Sequence, residues 1–241
     1  MTRVDDDRGV VMLAPLAGRV VGGFPGAFRG DIEYTVLGNP VRRALVEAGA
    51  QRHYDYSGQR PLRLLVLGGS LGAQPINQVM PDVLAAVKDT GKELEIRHQA
   101  GQAHAQSLRA SYGSALGEGV QVDPFIENMD RAYAWADLVL CRAGALTVAE
   151  LAIMGCPAIL VPLPHAIDDH QSANGRVLTD CGAAMMLPQS EMSVARLSQA
   201  LLGYIEHPPR LATMAAAAAA AATPDAAARV SDCCQELIHG H

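Results

Sequence analysis

From residue 34 onward, short apolar runs alternate with longer stretches of helical spacing, and this alternation limits the folds open to the chain. The runs are "YTVLG", "LRLLVLGG", "LEIRHQAG", "VQVDPF", "DLVLCRA", "PAILVPL" and "AAMMLP". Between most of them, residues 40–49, 74–88, 102–116, 128–135, 147–154 and 170–181 have helical periodicity. Runs such as "LLVL" and "AILV" lack the apolar–polar alternation of a half-exposed strand. They predict a parallel sheet covered on both faces. The pattern is that of an α/β doubly wound domain spanning residues 34–188.

After Pro188 the pattern becomes all-helical. "SVARLSQALLGYIEH" carries an apolar stripe, and "PPRLATMAAAAAAAA" opens on proline and continues in the best helix former. "TPDAAARVSDCCQELI" offers Thr223 as a cap and Pro224 at the first helical position. Residues 189–241 therefore read as helices packed on the same domain. Residues 1–33, with the glycine-rich turns "VVGGF" and "PGAFRG", are too few to form a domain and read as a linker or remnant.

Charge and cysteine usage remove several function classes. The formal net charge is -6, and no basic block interleaved with aromatics is present, which argues against a nucleic-acid surface. Cysteines 141, 156, 181, 233 and 234 are odd in number and lack C-x-x-C spacing, so free thiols are expected. Cys233 and Cys234 read as the core and surface sides of one helix. The opening "MTRVDDDRG" lacks the basic start of a secretory leader. "VVMLAPLAGRVVGGF" and "LAIMGCPAILVPLP" are too short and too broken to span a membrane. The first can still lie against a lipid surface or another domain.

Two strand-to-helix turns carry the chemistry. In "LLVLGGSLGAQPINQVM", Gly68, Gly69 and Gly72 permit close backbone approach, and Ser70 adds a hydroxyl. Free N–H groups at the following helix start suit a diphosphate, although such turns also serve packing alone. The stretch is neither a Walker A loop nor a full G-x-G-x-x-G. In "CRAGALTVAE", Gly144 precedes a helix, and Thr147 with Glu150 fits a capping box. Glu150 equally fits a carboxylate that accepts hydrogen bonds from both ribose hydroxyls. Two such turns at strand ends can converge on one ligand at a topological switch point.

Other segments leave two readings open. "PLPHAIDDHQSANG" gathers Asp168, Asp169, His170, Gln171 and Asn174, which suit sugar hydroxyls or a solvated helix start capped by either aspartate. His165, Asp169 and His170 match no zinc spacing, so no metal is expected. "LGNPVRRAL" places Asn39 and Pro40 at a helix start, with Arg42 in its first turn, either exposed or paired to an anion. In "DPFIENMDRAYAWADLVL", Ile126 and Trp135 read as core, with Ile126 also able to flank a flat base. His98, His104 and His207 read as surface or satisfied core residues.

Taken together, "GNPVR", "GGSLGAQ", "FIENM", "YAWADLVLCRAGALTVAE" and "DDHQSAN" resemble the MurG family. Its members transfer N-acetylglucosamine (GlcNAc) from UDP-GlcNAc to undecaprenyl-diphosphate-MurNAc-pentapeptide (lipid I) in peptidoglycan synthesis. The likeness runs in order from about Leu13 to the C-terminus. It implies a GT-B fold of two Rossmann-like domains, of which this chain resembles the donor-binding half. By the same resemblance, Glu150 holds the ribose hydroxyls, and Ala145, Leu146, Thr147 and Val148 line the diphosphate and sugar. Ser70 contacts a phosphate, Arg42 neutralises the diphosphate, and Ile126 meets the uracil. Gln171, helped by His170 and Asn174, reads the GlcNAc hydroxyls, while Gly69, Gly72 and Gly144 shape the turns. The implied reaction is inverting and needs no cofactor.

Ala143 stands where some members have serine. Nothing in the chain matches the family's "GGTGGH"-like acceptor loop, whose histidine is the suspected general base. The chain alone is therefore expected to bind donor without transferring it. The lipid I acceptor is expected on a missing domain or partner subunit, at the cytoplasmic side of the inner membrane. The alternatives are the donor subunit of a split transferase and a non-catalytic nucleotide-sugar-binding module. A nicotinamide-dinucleotide domain is disfavoured by the incomplete fingerprint.

Overall fold

The computed structural model describes residues 17–28, 32–69, 72–164 and 170–239. β1 (Val21–Gly22) and β2 (Thr35–Val36) form a short parallel pair. The main sheet contains β3 (Leu62–Leu67), β4 (Leu94–Gln99), β5 (Val120–Asp123), β6 (Leu138–Cys141), β7 (Ala158–Leu160) and β8 (Ala184–Met186). Its spatial order is β5-β4-β3-β6-β7-β8, with every neighbouring pair parallel. The order reverses between β3 and β6, where Leu64–Leu67 pair with Leu138–Cys141. Ligands of such sheets settle outside the strand ends at this reversal.

The helices are α1 (Arg43–Gln51), α2 (Gln74–Lys88), α3 (Ala105–Tyr112), α4 (Met129–Trp135), α5 (Ala145–Ile153), α6 (His170–Thr179), α7 (Val194–Glu206), α8 (Pro208–Ala220) and α9 (Ala226–His239). They cover both faces of the sheet, which is why its strands read as unbroken apolar runs. Along β3, Leu62, Leu64 and Val66 join one core with Ile76, Met80, Leu108 and Leu197. Leu65 and Leu67 join the other with Leu45, Tyr133, Val148 and Leu178. The alanine-rich α8 packs on the domain, with Leu211, Met214, Ala215 and Ala218 buried. Among the described residues, no helix is long and apolar enough to cross a membrane.

Several boundaries differ from the sequence reading. Helix α1 starts at Arg43, not Pro40, and Arg42 precedes it with an extended ψ of 137° and no side-chain cap. Arg42 is therefore free of the first turn and can reach across the sheet end. The 102–116 segment divides into α3 and a 3₁₀ turn at Gly113–Ala115. Helix α9 begins at Ala226, where the backbone N–H bonds the carbonyl of Thr223. Asp168 and Asp169, named as alternative caps of α6, and His165 lie outside the described residues. All five cysteines are free thiols, with Cys233 buried and Cys234 half-buried on α9.

Two polar clusters are built into this framework. Asp137, just before β6, accepts hydrogen bonds from both terminal nitrogens of Arg60, the Nη2 one at 2.8 Å. It also accepts from the backbone N–H of Arg63 on β3, at 2.8 Å. On β4, the fully buried His98 contacts Tyr112 Oη and Asn77 Oδ1, each at 3.0 Å from a ring nitrogen. Asn77 in turn donates to the carbonyl of Ala100.

Burial pushes the His98 pKa down to about 3, so the ring is neutral in the fold. An unfolded histidine protonates near pH 6.5, and the unfolded chain then binds the extra proton first. Stability is thus intact above that pH and falls as pH drops toward 3, by about 1.4 kcal/mol per unit. Urea unfolding is expected to give a loss of about 2 kcal/mol between pH 6.5 and 5 from this residue. His98→Gln should remove that component of the slope, leaving the carboxylates to set the remainder.

Candidate functional site

A cavity of about 420 Å³ opens at the carboxyl ends of β3 and β6. Leu67, Gly68 and Gly69 bring β3 to it, and Cys141, Arg142, Thr147 and Glu150 approach from the β6–α5 side. Gln99 at the end of β4, Phe125 to Glu127 after β5, and Met129 and Tyr133 on α4 complete the wall with Arg42. The strand reversal thus gathers residues more than 100 positions apart.

Glycine is required at two points of the first turn. Gly69 has φ +72°, a conformation L side chains rarely adopt, and nothing crowds its open side. Gly72, at φ +76°, lies so close to β4 that an added Cβ would sit 2.4 Å from the Ala100 carbonyl oxygen. Ser70, between them, lies outside the described residues.

At the second turn, α5 begins at Ala145 with Gly144 as its N-cap and no side-chain cap. The capping box is therefore corrected: Thr147 lies inside the first turn, and Glu150 turns to side chains elsewhere. The Val148 N–H donates to the Gly144 carbonyl, so those of Ala145, Leu146 and Thr147 have no partner within the helix. Such a helix start attracts anions. Val148 itself is fully buried, and the side chain of Leu146 is exposed.

Glu150 is held from two sides. Its Oε2 accepts from the Tyr133 hydroxyl at 3.0 Å, and its Oε1 lies 3.7 Å from Arg42 Nη2. Burial raises the Glu150 pKa, while Tyr133 and Arg42 pull it back. Burial, reinforced by Glu150, pushes the Tyr133 hydroxyl well above its ordinary range, so it remains a donor. Arg142 is held by the carbonyls of Val161 and Pro162 and by Gln189 Oε1 at 2.6 Å.

Ile126 is core, with its N–H donated to Gln99 Oε1 at 3.2 Å, and its neighbour Phe125 is exposed. Trp135, read as core, is half-buried. On α6, Gln171 Oε1 accepts from the Leu163 N–H at 2.9 Å, and Asn174 Nδ2 lies 3.4 Å from the Ala143 carbonyl. His170 stands at the start of the same helix. Asn174 thus reaches the β6–α5 turn and Gln171 the segment after β7, and none of the three α6 residues lines the cavity. Among the described residues, no group of three His, Cys, Asp or Glu side chains is arranged to hold a metal ion.

Sequence reading gave Arg42, Gly69, Ile126, Thr147 and Glu150 as site residues, and all five line the cavity. It missed Gln99, Tyr133 and Arg142. The quoted motifs contain Tyr133 and Arg142, but neither residue shows its contacts through local spacing.

The glycosyltransferase family 28 C-terminal domain matches residues 63–230. The UDP-N-acetylglucosamine--N-acetylmuramyl-(pentapeptide) pyrophosphoryl-undecaprenol N-acetylglucosamine transferase of Azotobacter vinelandii (strain DJ / ATCC BAA-1303) is 49% identical over 228 residues. That match covers 95% of this chain and 63% of the relative. The transferase of the same name from Stutzerimonas stutzeri (strain A1501) is 47% identical, with the same two coverages. The crystal structure of Acinetobacter baumannii MurG superimposes with a TM-score of 0.76 at 37% identity, covering 94% of this chain and 62% of that one. The chain thus spans less than two thirds of the length of these relatives.

Proposed function

The chain belongs to the glycosyltransferase family 28 C-terminal domain family, and on that premise we propose that it is the donor-binding half of a GlcNAc transferase. Its fold is the α/β, GT-B-like type of the family. The observation that carries the proposal is the convergence in one cavity of a glycine turn, a helix start and the braced Glu150 carboxylate. In this reading residues 34–188 and the helices of 189–241 form one UDP-GlcNAc-binding unit.

Glu150 accepts the two ribose hydroxyls, and Tyr133 and Arg42 fix its direction. Arg42 and the free N–H groups of Ala145, Leu146 and Thr147 face the diphosphate, with Gly69 admitting it closely, Gly72 letting the turn close against Ala100 and Ser70 adding a hydroxyl. Ile126 flanks the uracil. Gln171, His170 and Asn174 read the sugar from α6. As the bond from sugar to diphosphate breaks, negative charge grows on the departing UDP. A fixed helix dipole and Arg42 stabilise that charge without reorganising.

The attacking group is the C4 hydroxyl of MurNAc in lipid I, and the reaction inverts the anomeric centre to give lipid II. Binding of lipid I and removal of the hydroxyl proton are assigned to the portion of the relatives that this chain does not match. The full enzyme works peripherally on the cytoplasmic side of the inner membrane.

Calorimetric titration of the chain with UDP-GlcNAc tests the donor assignment, with UDP-GalNAc as the epimeric control. Saturable binding that favours UDP-GlcNAc is expected. Equal binding of the two sugars would remove the role given to α6, and no binding would remove the donor assignment.

A further inference from the structure

Resting on the donor reading, we propose that Gln99 is a specificity-determining residue that selects the nucleotide base by the oxygen at its pyrimidine edge. Strand alternation sends His98 into the core and leaves Gln99 at the carboxyl end of β4, in the cavity wall. The Gln99 carbonyl oxygen accepts from the Gly68 N–H at 3.0 Å. Its side-chain oxygen accepts from the Ile126 N–H at 3.2 Å. One residue therefore ties the glycine turn to the loop after β5.

The second bond also settles the rotation of the carboxamide. A backbone N–H can only donate, so the group facing it must be Oε1, not the amide nitrogen. The two N–H donors of Nε2 are left as the other end of this group. Phe125, a 58% exposed residue, lines the same cavity wall and offers an apolar face to a planar base. Both bases carry a carbonyl oxygen at position 2, so the choice is made at position 4, where a fixed donor complements the uracil oxygen and meets the amino group of cytosine donor to donor. A site built for one hydrogen-bonding pattern discriminates strongly against its opposite.

The test compares UDP and CDP by calorimetry on the full chain, for the wild type, Gln99→Glu and Gln99→Met. Gln99→Glu keeps an oxygen for Ile126 and exchanges the donor for an acceptor. Its added charge weakens both nucleotides alike, so the ratio of the two affinities is the readout. The wild type is expected to favour UDP by at least about tenfold. In Gln99→Glu that preference should fall about tenfold or reverse, and in Gln99→Met it should narrow. A preserved UDP/CDP ratio in Gln99→Glu and Gln99→Met, with both affinities lowered, would overturn the inference and leave the donor reading standing. Failure of the wild type to bind either nucleotide would overturn the donor reading, and the inference with it.

Discussion

Glu150→Gln is expected to weaken UDP-GlcNAc binding by about 10- to 100-fold while leaving the unliganded chain at least as stable. In the proposed donor reading, the loss follows from replacing two charge-assisted hydrogen bonds to ribose hydroxyls with neutral ones, each of which is weaker by about 1 kcal/mol. The stability side follows from the environment of the carboxylate. Burial raises its pKa despite Tyr133 and Arg42, so the folded chain binds a proton more readily than the unfolded one. In the window between the ordinary and raised values, and above it, ionised Glu150 subtracts from stability. Glutamine removes that charge and can still accept from the Tyr133 hydroxyl. Calorimetry and a thermal melt on the same variant check both halves. A variant that lost binding only because it unfolded would contradict the assignment. For wild type, donor affinity should also fall on acidification as Glu150 takes up its proton.

Asp137→Ala should do the reverse, costing about 2–4 kcal/mol of stability while leaving UDP-GlcNAc binding unchanged. The Asp137 side chain is 4% exposed, and its removal leaves the Arg60 guanidinium and the Arg63 N–H without their shared acceptor. Arg60 keeps Asp55 as a partner at 3.1 Å, so the loss comes from the broken bidentate pair and the orphaned Arg63 N–H, and still exceeds that of a surface pair. For a chain of this size the melting temperature should drop by about 10 °C. Asp137→Asn keeps one acceptor and should lose less. Unchanged UDP-GlcNAc affinity well below the melting point would separate this residue from Glu150.

The sheet was legible because its signal is local. Buried strands such as Leu62–Leu67 and Leu138–Cys141 are continuous apolar runs, and helix Gln74–Lys88 coincides with its periodic segment. Helix starts were less legible, since Thr147 with Glu150 satisfies the capping pattern while the backbone caps the helix at Gly144. Glu150 instead bonds Tyr133, 17 residues away, and no local spacing encodes that partner. Gln99 meets Ile126 across 27 residues, joined only because β4 and β5 are neighbours in the sheet. The position of Arg42 depended on where α1 begins, which Pro40 misjudged by three residues. Resemblance to a known family supplied roles for these side chains, and the sheet order explains how they come to share one cavity.

Among the described residues, the junction of β3 with β6 is the only pairing between the two halves of the main sheet. Its amino end is fastened by Asp137, which precedes β6 and bonds the backbone of Arg63 on β3. Its carboxyl end opens into the cavity, whose walls come from both halves. A ligand seated there bridges them and acts as a second clasp on the seam. Each tenfold excess over the dissociation constant raises the free energy of parting the halves by about 1.4 kcal/mol. Amide hydrogens of Leu64–Leu67 and Leu138–Cys141 would then exchange more slowly with solvent as the site fills, making the seam itself a reporter of occupancy.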